Sequence, residues 1–105
     1  MEFIETPIFT KIITELLSED EYRDFQNHLI ENPESGAVIK GGSGIRKVRW
    51  NLPNRGKSGS IRVIYYYKIL NNQIFLIYAY TKQKKADLSE EEKKLFGTIA
   101  KEFAK

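Results

Sequence analysis

The apolar residues change their spacing once along the 105-residue chain, and that change divides the fold into two kinds of structure. Up to Glu31 they recur at helical intervals. Ile8, Phe9, Ile12, Ile13, Leu16 and Leu17 make one stripe, opened by a Thr6 cap and by Pro7 at the first helical position. Ser18 with Glu21 reads as a capping box for a second helix, whose buried face is Tyr22, Phe25 and Leu29 and whose stop is Asn32-Pro33. From Ala37 onwards the spacing is that of strands: Ile45–Trp50, Ile61–Ile69 and Ile74–Tyr80, with Ala37–Lys40 a short candidate strand outside that count. The last two are apolar or aromatic on both faces, as central strands are. Between them Asn71-Asn72 supplies residues that tolerate positive φ in a tight turn. Glu2–Glu5 predicts a further strand at the start. Ser89 with Glu92 predicts a closing helix with Leu95, Phe96, Ile99, Ala100 and Phe103 on its core face. The expected order is β-α-α-β-β-β-α, an α+β domain spanning 1–105 with a mostly antiparallel sheet packed on helices.

Charge follows the same division. Residues 1–39 carry two Lys and Arg against nine Asp and Glu, whereas residues 40–86 carry eleven and none. A basic, acid-free stretch in a chain of net charge +3 points to an anionic partner, and RNA fits it. The absence of cysteine excludes a disulfide framework, a zinc finger and a thiol nucleophile. No apolar run reaches the roughly 18 residues of a membrane span, and the acidic N-terminus lacks the basic region of a secretory signal. The expected compartment is the cytoplasm, with no membrane partner.

Several motifs carry no chemistry. Gly56-Lys57-Ser58 is like the tail of a phosphate-binding loop, but that motif needs Gly at position 51, which is Asn, and a helix afterwards, where a strand follows. Gly41-Gly42-Ser43-Gly44 reads as a turn. His28 is the only histidine, which excludes a paired-histidine ribonuclease, and it reads as a surface residue. Glu19, Asp20, Glu21 and Asp24 sit at a helix start, where carboxylates complement the dipole, so no metal site is expected.

The strand from Ile45 is more informative. Period-2 alternation puts Lys47 and Arg49 on one face and Val48 and Trp50 on the other. In the next strand Arg62 shares a face with Ile64, Tyr66 and Lys68, and a position near Lys47 and Arg49 would cluster three cations. The loop Asn51–Ser60 adds Arg55 and Lys57, suited to a phosphate backbone. Tyr65, Tyr66, Tyr67, Tyr78 and Tyr80 read chiefly as sheet packing.

Taken together, Gly44-Ile45-Arg46-Lys47-Val48-Arg49-Trp50, the Gly/Lys-rich loop and Gly59-Ser60-Ile61-Arg62-Val63-Ile64-Tyr65-Tyr66 resemble the RelE superfamily of bacterial toxins in its HigB-like branch. Tyr80-Thr81-Lys82, Asp87-Leu88-Ser89, the Ile8-Phe9 helix and Asp20-Glu21-Tyr22-Arg23 extend the resemblance over nearly the whole chain. It implies the toxin of a type II toxin–antitoxin system, a ribosome-dependent mRNA endonuclease in which an RNA 2′-hydroxyl attacks the adjacent phosphate. It implies neither metal nor cofactor. Lys47 and Arg49 then match the two basic strand residues, and Arg62 matches the phosphate-holding arginine. Lys82, with Lys84 and Lys85 as alternatives, occupies the region that supplies the general acid. Lys40, Arg46, Arg55, Lys57, Lys84 and Lys85 are the expected RNA or rRNA contacts. The implied partners are an antitoxin, expected to be a small helix-turn-helix protein, the ribosomal 30S A site and mRNA. Operator DNA would be met only through the toxin–antitoxin complex. Two residues of the family pattern are missing, because no arginine follows Tyr80 and no tyrosine follows Lys85. The same fold also serves gyrase poisons, and a plain RNA- or ribosome-binding module is the further alternative.

Overall fold

In the computed structural model, which describes residues 1–52 and 59–105, the elements are β1 (Glu2–Glu5), α1 (Pro7–Leu16), α2 (Glu19–Glu31), β2 (Ala37–Val38), β3 (Arg46–Asn51), β4 (Ser60–Lys68), β5 (Gln73–Thr81) and α3 (Glu90–Ala104). They form one five-stranded sheet in the order β1-β5-β4-β3-β2. All pairings are antiparallel except β1 with β5, which is parallel. The α+β plan is therefore as expected, and the short candidate strand from Ala37 forms, as β2, a fifth strand at the edge of the sheet. The caps are also in place: Thr6 accepts from the Phe9 N–H, and Ser18 and Ser89 each close a full capping box.

Helices cover both faces of the sheet. On one face Phe9 and Ile13 of α1, Leu17, and Phe25 and Leu29 of α2 pack on Val48, Val63, Tyr65, Leu76 and Ala79. On the other, Phe96 and Ala100 of α3 share a cluster with Ile45, Ile64, Ile77, Tyr80 and Leu88. Phe96 stacks on Tyr78 at 5.1 Å and Phe103 on Phe75 at 4.4 Å. Lys68 fastens the end of α3, donating from Nζ to the Phe103 carbonyl at 3.2 Å. Gly97 lets α3 approach the turn before β3, since a Cβ there would lie 3.0 Å from the Gly42 carbonyl oxygen.

Two helical residues depart from expectation. Ile8 and Leu95, assigned to buried stripes, are 50% and 57% exposed. Each sits at the margin of its stripe, and the sheet contacted is narrower than the stripe. The hairpin between β4 and β5 also differs: Ile69–Asn71 form one 3-10 turn, and only Asn72 has positive φ, at 51°.

One irregularity sets the geometry of the site. The β4–β5 register slips at Ile64/Tyr65, where Ile64 faces Tyr78 but Tyr65 faces Leu76, leaving Ile77 unopposed. Phe75 and Ile77 face α3, and the extra residue keeps Tyr78 and Tyr80 on that side too, where strict alternation would turn them away. The Ile77 carbonyl accepts the Thr6 hydroxyl at 2.7 Å, so the slip leaves no orphaned acceptor there.

Candidate functional site

The register places the cations. Arg49 faces Arg62 across β3–β4, and Arg62 faces Tyr80 across β4–β5. The next row on the same face is Lys47, Ile64 and Tyr78. Directly opposed residues have Cβ atoms about 4.5–5.5 Å apart, so Arg49 and Arg62 are immediate neighbours. Like charges so placed repel, which makes the row an attractive seat for an anion. Neither arginine has an ion-pair partner among the described residues.

Within this row two polar atoms are buried without partners, Arg62 Nη1 and the Tyr80 hydroxyl. Tyr80 is only 4% exposed. Leaving such a group unpaired costs about 1–3 kcal/mol. Burial pushes the Tyr80 phenol up to about 12, with Asp87 adding to the rise and Arg62 opposing it. It is therefore a neutral hydroxyl, able to donate, throughout the physiological range. Its burial and its cross-strand neighbour are not legible from one strand, because they depend on the register slip at Ile77.

One ion pair ties the chain after β5 to this row, and a second braces that chain against the start of α3. Lys47 Nζ donates to Asp87 Oδ1 at 3.3 Å, and Lys85 Nζ pairs with Glu92 Oε2 at 2.9 Å. Asp87 is held below its ordinary 3.8 by the Leu88 N–H and then by Lys47. Glu92 is held below 4.5 by the Ser89 N–H and then by Lys85. Depressed carboxyl values stabilise the fold above the unfolded-state pKa, and that contribution is lost as pH falls through the folded-state pKa. Protection factors over residues 85–92, corrected for the intrinsic slowing of exchange in acid, should therefore fall as pH is lowered below about 4, before α1 and α2 lose protection. Unchanged protection there would show that the two pairs do not hold the segment.

The remaining basic residues are dispersed. Lys82 and Lys84 are exposed in the turn after β5, and Lys40 is exposed before β3. A cavity of about 240 Å³ beside the end of β5 is lined by Ile12, Leu16, Tyr78, Tyr80, Lys84 and Lys85. Arg46 alternates to the opposite face from Lys47. Its Nη1 donates to the Gly36 and Glu34 carbonyls at 2.8 and 3.1 Å, tying down the loop before β2. Arg55 and Lys57 lie outside the described residues. His28 packs beside Trp50, with ring centroids 5.0 Å apart, on the face of β3 opposite Lys47 and Arg49. Among the described residues no group of His, Cys, Asp or Glu is arranged to hold a metal ion, and no helix is long and apolar enough to cross a membrane.

Comparison with solved structures finds the same architecture in a free-state mutant of E. coli toxin RelE that carries two arginine-to-alanine changes. The match has a TM-score of 0.56 at 13% identity and covers 81% of this chain and 86% of the other. A likeness at that identity speaks for the fold. The family is carried by the sequence itself, in which residues 17–105 match the model for the RelE toxin of the RelE/RelB toxin–antitoxin system. Spanning α2, the whole cationic row and α3, that match makes this chain a member of the RelE family of toxin–antitoxin toxins.

Proposed function

We propose that this toxin is an mRNA endonuclease that cuts message on the ribosome, and that its antitoxin is a small helix-turn-helix protein. The observation that carries this reading is the uncompensated Arg49–Arg62 pair with Lys47 in the adjoining row, on a sheet of the RelE fold. Attack by a 2′-hydroxyl on the adjacent phosphate builds negative charge on the phosphorus oxygens. Fixed cations aimed at that charge stabilise the transition state without metal. Arg62, the central cation of the row, holds the phosphate. Lys47 and Arg49 flank it and help align the nucleotide, and Lys82 approaches the leaving 5′-oxygen from the turn after β5. Lys40, Arg55, Lys57, Lys84 and Lys85 extend the basic surface towards rRNA, with contacts whose strength should fall with salt. Arg46 is engaged with Glu34 and Gly36, so its part is to hold the loop that leads into β2. The sequence pattern favours the HigB-like branch and a cytoplasmic site of action.

Purified toxin added to ribosomes carrying a defined message should yield cut RNA within the A-site codon, with 5′-hydroxyl and 2′,3′-cyclic phosphate ends. Stalled translation with intact message would contradict cleavage. Broken chromosomal DNA with intact message in toxin-producing cells would select gyrase poisoning instead.

A further inference from the structure

We infer that Tyr80 is a substrate-contacting residue: its hydroxyl and Arg62 Nη1 form a paired donor for the phosphate oxygens of the bound RNA. This rests on the reading of the protein as a ribonuclease.

Arg62 and Tyr80 stand directly opposite each other on adjacent strands, and one polar atom of each is buried without a partner. Native proteins satisfy buried donors almost without exception, so two orphans in one cross-strand pair mark a place where a ligand completes the bonding. Neither atom is needed for packing. The Tyr80 ring is held by Tyr78, at 5.9 Å between centroids, and belongs to the cluster under α3, whatever its hydroxyl does. The pair also suits phosphate better than a carboxylate or a neutral group. A guanidinium supplies the charge, a neutral phenol adds a second donor without a second charge, and Arg49 lies alongside. The Ile77 slip is what turns Tyr80 to this side, so the backbone is shaped for the pairing.

The donors are covered in the free protein, and the cover is lightly held. Leu88 shares the cluster with Tyr80, and the segment around it is fastened by the Lys47–Asp87 and Lys85–Glu92 pairs. The Lys47–Asp87 pair is exposed, and such pairs contribute little. A phosphodiester that takes Lys47 from Asp87 loosens that segment and reaches the two donors.

The test is Tyr80→Phe, which keeps the ring and removes only the hydroxyl. Single-turnover cleavage of ribosome-bound mRNA should slow by about 10²-fold, the loss seen when one oxyanion donor is removed, while thermal stability is unchanged or higher. Replacing one non-bridging phosphate oxygen with sulfur should slow the wild type, and the variant should show a smaller penalty at the same diastereomer. A structural role for the hydroxyl would not produce that change. Cleavage by Tyr80→Phe within twofold of wild type, or an unaltered sulfur penalty, would overturn the inference. If the wild type cuts no RNA, the ribonuclease reading fails by itself, and titration with inorganic phosphate then decides the pair. Affinity about tenfold weaker in Tyr80→Phe would sustain the paired donor, and equal affinity or no binding to either protein would end it.

Discussion

Arg62→Ala should lower mRNA cleavage by about 10²–10³-fold and leave the protein folded. The loss is large because Arg62 is the middle of its row: Arg49 opposes it on one side and Tyr80 on the other. No other cation in the described residues occupies that position, so none can replace it. Stability should change by no more than about 1 kcal/mol, because removing an unpaired buried Nη1 offsets the packing lost from the half-buried side-chain stem. Cleavage rate and thermal unfolding measured on the same preparation separate the two effects. Full activity would take Arg62 out of the site. A collapsed melting temperature would show that its role is structural.

Tyr65→Ala should have the largest effect on folding, a destabilisation of about 4 kcal/mol. Tyr65 is wholly buried in the core under α1 and α2. Its hydroxyl donates to the Pro33 carbonyl at 2.8 Å and accepts the Gly36 N–H at 2.9 Å. Gly36 is glycine because a Cβ there would come within 2.8 Å of the Tyr65 ring. The substitution thus opens a cavity and strands two backbone groups of the loop that leads into β2. Against a total stability of about 5–15 kcal/mol, that leaves a marginal fold. Tyr65→Phe isolates the hydrogen bonds and should cost about 1–2 kcal/mol. Denaturant midpoints give both values, and a Tyr65→Phe variant as stable as wild type would show that the loop is held by Arg46 alone.

Much of this architecture was legible before the strands were seen to pair. The Thr6, Ser18 and Ser89 caps define helix starts through local chemistry, and the change from helical to alternating periodicity marks where the sheet begins. Alternation also separated Lys47 and Arg49 from Val48 and Trp50, as β3 bears out. The same rule puts Arg46 with Val48, on the face away from Lys47 and Arg49. Sequence could not show that α3 covers the face that carries the cations, because both faces of β4 and β5 are apolar and either can be core. Nor could it show Tyr80 beside Arg62. That neighbour depends on one unopposed residue, Ile77, which reverses the facing of everything after it in β5. Exposure of Ile8 and Leu95 was hidden for a related reason, since a stripe's width is visible in sequence and its contact surface is not.

The most direct test of the central claim is to map mRNA 5′ ends across the transcriptome after the toxin is induced, with Arg62→Ala as the control. The account predicts new ends at codon-spaced positions within translated regions, appearing with growth arrest, absent from the Arg62→Ala strain and suppressed when the antitoxin is supplied. Growth arrest with mRNA ends unchanged from those of the uninduced cells would contradict it.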